Sequence, residues 1–261
     1  MTHPATNHAP EQRDNDVTDA LGTRAVVAVL LPATNTMVEP DMASLQAPGV
    51  TNHAFRFPFP ELPTTPDHLL QLMAPAVHMV PACEPDHVVL GYSPEYLPNA
   101  ASVAATLKAE LQRASGLDVT TATDAVLSAL RTLECSSLGI VNPFPESAVA
   151  HVIDHFTSEG FHVAAVQALA SAQKGKVFSG RITAEEIRSA FRAADTDEVD
   201  GLLQVGTNLV ATNLVDELEQ ELGKPVVAVN TATYWHALRS MGIEDSLPGF
   251  GSLMRTDRPP A

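Results

Sequence analysis

"DHVVLGYSPEYLPN", residues 86–99, decides the fold. The run at 87–92 is apolar without alternation, which suits a strand buried on both faces of a parallel sheet. It then breaks into a turn carrying a tyrosine, a serine, a glutamate and two prolines. Open α/β sheets bind ligands at the ends of their strands, so polar groups crowded there predict a site.

Runs of the same kind recur along the chain. They are "AVVAVLL" at 25–31, "TNHAFRF" at 51–57, "LGIVN" at 138–142, "FHVAAVQA" at 161–168, "GLLQV" at 201–205 and "PVVAVN" at 225–230. Helical patterns lie between them. "TTPDHLLQLMAPAVHMV" opens on threonines with a proline in its first turn, "ITAEEIRSAFRAA" has the capping-box spacing from Thr183 to Glu186, and "VDELEQELGK" stops at Gly223. Alternation of this kind predicts an open, doubly wound α/β sheet.

The order is also doubled. One series runs from "AVVAVLLPATNT" to "VVLGYSPE" and a second from "LGIVNPFPES" to "LLQVGTNL", each ending on a hydroxyl-rich turn. The expected organisation is a disordered N-terminal extension over 1–23. A first α/β lobe follows over 24–122 plus 228–255, a second over 123–227, and a flexible tail over 256–261. The last helical segment, "NTATYWHALRSMG", returns to pack on one lobe.

Fifteen Lys and Arg against 31 Asp and Glu give a net charge of −16 in 261 residues, and 45% of the residues are hydrophobic. That charge repels phosphate backbones and anionic membranes, so nucleic acid and membrane surfaces are excluded as partners. No apolar run reaches the length of a membrane span and no export signal is evident, so a cytoplasmic location is expected. Cys83 and Cys135 are far apart and form no CxxC pair, which supports neither a disulfide nor a zinc cluster. "HVIDH" sets His151 and His155 one helical turn apart, but no third ligand accompanies them, so no metal site is expected.

The strand-end segments "VLLPATNTMVEPDM", "HVVLGYSPE", "LGIVNPFPES" and "GLLQVGTNLVATNLVDELEQELGKPVVAVNTATYWHALR" resemble the aspartate/glutamate racemase superfamily. Within it the resemblance is to the branch of maleate cis-trans isomerase and arylmalonate decarboxylase, from about residue 25 to 255. It implies two pseudo-symmetric flavodoxin-like lobes with parallel four-stranded sheets, an interlobe active-site cleft, and no cofactor. It implies a cysteine ending the third strand of each lobe, where this chain has Ser93 and Gly206. A tyrosine of the second-lobe loop is replaced by Phe144. An alcohol needs a neighbouring base before it can do what a thiol does near its reference pKa of about 8.5. Two-base racemisation needs a group on both faces of the carbon, and Gly206 offers none.

The groups that remain suggest a carboxylate cradle. Asn35 and Thr36 follow the first strand, Thr207 and Asn208 follow the run at 201–205, and Phe144 and Gly206 lie beside them as substrate contacts. The same Asn and Thr residues also suit turn shaping and helix capping. Ser93, Glu95 and Tyr92 are the candidates for chemistry, with Glu95 as general base for a water or for Ser93, and Tyr92 or Tyr96 as proton donor. Ser93 as an N-cap with Pro94 at the first helical position is the structural alternative. The segment 171–181, "SAQKGKVFSGR", falls where the resemblance implies a substrate-covering loop. Its Lys176 is a candidate for a second carboxylate, against the reading of a merely solvated lysine. Asn230 and Thr231 face the cleft by the same resemblance.

The leading expectation is a cofactor-independent enzyme acting on a small carboxylic acid by non-cysteine acid/base chemistry of lyase, hydratase or isomerase type. Self-association as a homo-oligomer is compatible with it. The alternatives are a hydrolase using a Glu95-activated water or Ser93, a catalytically silent relative that binds a small acid, and, more weakly, a metal-dependent hydrolase.

Overall fold

The computed structural model describes residues 19–59, 65–170, 174–256 and 258–260. Of the extension expected over 1–23, residues 1–18 lie outside these, as do 171–173 of the covering loop. The first half runs β1 (Ala25–Pro32), α1 (Val38–Ser44), β2 (Val50–Phe57), α2 (Pro66–Met79), β3 (His87–Leu90), α3 (Ala100–Ser115), β4 (Val119–Thr121) and α4 (Ala122–Thr132). The second runs β5 (Ser137–Asn142), α5 (Val149–Ser158), β6 (His162–Ala168), α6 (Ala184–Ala194), β7 (Gly201–Gln204), α7 (Val215–Leu222), β8 (Val226–Ala228) and α8 (Val229–Ser240), and α9 (Gly251–Arg255) closes the chain.

The strands form two four-stranded sheets of matching order, β2-β1-β3-β4 and β6-β5-β7-β8, parallel throughout. The duplicated series is therefore two copies of one topology, and the α/β class read from the sequence holds. Parallel pairing explains the unbroken apolar runs, because helices cover both faces of each sheet. One core fills the space between the sheets, where Val27, Val29, Ile140 and Leu203 meet residues of α1, α4, α5 and α8. Two smaller cores lie on the outer faces, under α2 and α3 and under α6 and α7. The helices α4 and α8, which follow the edge strands β4 and β8, pack on each other. At Gly139 on β5 a Cβ would lie 2.3 Å from the Ala194 carbonyl oxygen, so glycine lets the end of α6 close on the sheet.

The local signals act as expected. Thr65 caps α2, Thr183 and Glu186 form a complete capping box on α6, and Gly223 ends α7 with φ +66°. Two details differ. The strand β4 has only three residues, and Thr121 both ends it and caps α4 through the Asp124 amide, so no sequence run announces it. The run at 225–230 is strand only to Ala228, since Ala228 is already the N-cap of α8. Among the described residues no helix is long and apolar enough to cross a membrane.

A buried histidine gives this fold a pH dependence. His87 is 2% exposed, its Nε2 lies 2.8 Å from Thr120 Oγ1, and that hydroxyl lies 3.1 Å from His236 Nδ1. Burial lowers the His87 pKa to about 4. The unfolded chain takes up a proton near pH 6.5 that the folded chain refuses until about 4, so stability from this residue is complete above that window and falls through it. Chemical unfolding of His87→Gln and the parent chain should show the variant gaining about 2–3 kcal/mol relative to the parent at pH 4.5 compared with pH 7.5. Equal differences at the two pH values would assign the histidine no such role.

Candidate functional site

The loops after β1, β3 and β7 meet in the space between the lobes, and they meet by hydrogen bonds. Asn35 Nδ2 donates to Thr207 Oγ1 at 3.1 Å, and Thr207 Oγ1 donates to the Gly91 carbonyl at 3.2 Å. The Thr36 N–H and hydroxyl both donate to Asn208 Oδ1, at 2.8 and 3.2 Å. The Gly206 N–H donates to Ser93 Oγ at 3.1 Å, and the Ser93 hydroxyl donates to Glu95. The two lobes thus share a polar seam in which first-lobe and second-lobe groups alternate as donor and acceptor.

Each group is held by its own element. Asn35 Oδ1 accepts from the Met37 and Val38 amides at 2.9 Å, so the side chain starts α1 and spans the seam at once. The turn at 206–208 is set by Gln204 at the end of β7, whose Nε2 donates to the carbonyls of Val205 and Gly206 at 2.7 and 2.9 Å. With those carbonyls turned inward, the Gly206 N–H faces Ser93. Gly206 has φ +90°, and a Cβ there would lie 2.5 Å from both Cγ and Cδ of Pro143. The position is closed to any side chain as the loops stand.

Glu95 is completely buried, and Thr123 Oγ1 in the first turn of α4 donates to its other oxygen at 2.8 Å. Each carboxylate oxygen therefore carries one hydroxyl donor. No helix starts at Pro94: residues 91–99 are irregular, with a turn from Pro94 to Leu97, and α3 begins at Ala100. The capping alternative for Ser93 is thereby set aside. Tyr92 belongs to the outer core of the first lobe, packed edge-on to Phe59, and its hydroxyl lies 3.0 Å from that of Tyr96. Burial, with Tyr96 adding to it, raises the Tyr92 pKa well above the ordinary value, so it keeps its proton. Tyr96 bridges to the second lobe through the buried Phe144 ring, 5.2 Å away.

The C-terminal end of the segment 171–181 lies against the loop after β1. Lys176 opens the short 3-10 helix Lys176–Arg181, and a Cβ on Gly180 would lie 2.5 Å from Thr36 Oγ1 and 3.5 Å from Asn208 Oδ1. The second lobe thus lays backbone directly over the Thr36–Asn208 pair. The neighbouring Lys174 sits over the Phe178 ring at 4.7 Å.

Several residues of the site were not singled out in the sequence. Thr123 and Gln204 belong to it, and so does Arg56 at the end of β2, which donates to the Asn35 carbonyl at 2.7 Å and pairs with Glu39. Asp41 on α1 is 4% exposed, accepts from Asn230 Nδ2 at 2.7 Å, and is raised by burial to a pKa of about 6 against the opposing pull of Asn230 and Thr212. Asn230 Nδ2 also donates to the Thr207 carbonyl at 3.0 Å. Its location at the seam agrees with the placement expected of Asn230.

The chain's two cysteines lie elsewhere. Cys135 precedes β5 and its sulfur would meet a Cβ on Gly201 at 2.5 Å, while Cys83 precedes β3, so both sit at the opposite ends of the sheets from the seam. Burial pushes the Cys135 thiol up to about 12, which leaves it protonated. His155 is buried on α5 against Phe156, and among the described residues no cluster of three metal-ligating side chains occurs.

Residues 89–254 match the family described as arylmalonate decarboxylase. The maleate isomerase of Nocardia farcinica (strain IFM 10152) is 31% identical over 134 residues, 51% of this chain and 53% of that protein. The arylmalonate decarboxylase of Bordetella bronchiseptica is 27% identical over 162 residues, 59% of this chain and 64% of that protein. The chain thus matches between about half and two thirds of the length of these curated relatives. A mutant of the Nocardia farcinica maleate cis-trans isomerase, solved with a covalently bound succinylcysteine intermediate, has the same two-lobed fold. The TM-score is 0.76 at 22% identity over 88% of this chain and 98% of that one.

Proposed function

The chain belongs to the arylmalonate decarboxylase family, and on that footing we propose that it is a lyase or isomerase acting on a small carboxylic acid by acid/base chemistry at Ser93 and Glu95. The observation that carries this reading is the chain of bonds from the Gly206 N–H to Ser93 and on to Glu95. The hydroxyl proton points at a buried carboxylate, and the oxygen faces a backbone donor. As the Ser93 O–H bond breaks, its proton passes to Glu95 and the charge left on Oγ is held by the Gly206 N–H. Thr123 keeps the carboxylate from turning away.

Substrate recognition follows from the same seam. The donors Thr36 N–H, Thr36 Oγ1, Asn35 Nδ2 and Thr207 Oγ1 already point at oxygen acceptors of the facing loops. A substrate carboxylate replaces those acceptors, and an enolate formed by loss of carbon dioxide or of an α-proton has donors waiting for its charge. Tyr92, with its proton retained and its hydroxyl at Tyr96 in the outer core, takes no proton-transfer role in this scheme.

A hydrolase in which Glu95 activates Ser93 or a water uses the same dyad and is the second reading. The direct bonding of the loops to one another favours a third, a silent binder whose seam rarely parts. Purified protein should be assayed with maleate, arylmalonates, lactones and enol acids. Turnover of an arylmalonate or of maleate supports the proposal, ester or lactone cleavage alone selects the hydrolase, and binding with no turnover of any substrate selects the silent relative.

A further inference from the structure

Asp41 is a buried carboxylate with no cationic partner among the described residues. The charged and titratable groups on the elements around it are otherwise engaged. Glu39 on its own helix pairs with Arg56 of β2. On α8, Tyr234 donates to Asn52, His236 meets Thr120, and Arg239 donates to the carbonyls of Ile243, Asp245 and Thr256. What Asp41 does hold is the side-chain amide of Asn230, whose Nδ2 is shared with the Thr207 carbonyl, and the Thr212 hydroxyl beside it also favours the ionised carboxyl. The other half of that amide, Oδ1, is buried and makes no hydrogen bond among the described residues.

An orphaned buried acceptor costs stability, and here it sits on the group that touches an ionisable carboxyl. The two features explain each other. With Asp41 ionised, the amide must present N–H to it, which leaves Oδ1 without a donor. With Asp41 protonated, the carboxyl has an O–H to give, and a half-turn of the amide brings Oδ1 to accept it. The same half-turn takes Nδ2 away from the Thr207 carbonyl.

We propose that Asp41 is a positioning residue for the 206–208 turn, acting through the Asn230 amide, which takes one orientation when the carboxyl is ionised and the opposite one when it is protonated. The turn carries the Gly206 N–H and the Thr207 hydroxyl, so its donors are set in the ionised state and loosened in the protonated state. Proton uptake by Asp41 gives a neutral acid, and no other species enters the step. The amide moves as a rigid plate of nearly constant shape, which a packed interior tolerates.

The test reads chemical shifts and needs no turnover, so it stands apart from the reaction assigned to the site. In 1H–15N spectra of the full chain from pH 4.5 to 8, the Gly206 and Thr207 amides and the Asn230 side-chain NH2 should shift together with one midpoint near 6. Asp41→Asn should leave all of them flat over that range. In Asn230→Ala the Asp41 carboxyl carbon should still titrate while the Gly206 and Thr207 amides do not follow it. If Asp41→Asn does not fold, the parent chain and Asn230→Ala decide between them. Turn amides that stay fixed in the parent chain, that still titrate in Asp41→Asn, or that still follow Asp41 in Asn230→Ala, overturn the proposal.

Discussion

Glu95→Gln should lower turnover by roughly 100- to 10,000-fold, the usual worth of a positioned general base, and leave affinity for a small carboxylate within a few-fold. The two effects separate because glutamine matches the shape of the buried side chain. Both partners of the carboxylate are hydroxyls, on Ser93 and Thr123, and a hydroxyl that donates to a carboxylate can rotate to accept from an amide. The interior stays satisfied while the proton acceptor disappears. Steady-state kinetics with the substrate found in the panel, and calorimetric titration with the same acid or an unreactive analogue, measure the two quantities. Unchanged turnover would remove Glu95 from the chemistry, and a parallel loss of binding and thermal stability would make it a structural carboxylate.

Gly206→Ala should destabilise the protein by about 2–5 kcal/mol, combining about 1–2 for a side chain at positive φ with about 1–3 for overpacking. At this chain length that is a fall in Tm of roughly 4–10 °C. The added methyl would meet the ring of Pro143 at 2.5 Å with the backbone at φ +90°. Gly223 is the matched control: it has φ +66° and no atom within 4 Å of its hypothetical Cβ, so alanine there meets the backbone cost alone. A melt in which Gly206→Ala loses no more than Gly223→Ala would show that Pro143 gives way freely. The same contact bears on chemistry, because Gly206→Cys must push the proline aside before its sulfur can reach Ser93, and a thiol introduced there is not expected to confer sulfur catalysis.

The fold was legible wherever a local rule governs it. Unbroken runs of Val, Ala and Leu marked β1, β3, β5 and β7, and the Thr183–Glu186 box and Gly223 marked helix ends, since caps and parallel strands act through neighbours in sequence. β4 was hidden because three residues make no pattern, and the handover at Ala228 because "PVVAVN" suits a buried strand and a buried helix start equally. In the site, Ser93 and Glu95 were visible as polar residues after an apolar run. The long-range bonds that hold them were not. Thr123 reaches Glu95 across 28 positions, Gly206 reaches Ser93 across 113, and Asn230 reaches Asp41 across 189. Bonds over such separations leave no local imprint. Asp41 itself reads as an ordinary acid in the first turn of a helix, favourable to the dipole wherever it points.

The loops that greet each other across the midline leave an arriving molecule few idle donors to claim. Admission is an exchange, in which the host gives up contacts with itself to take up similar ones with its guest, and the net gain of each swap is small. On the proposed reading, a protein built this way holds its small acid weakly.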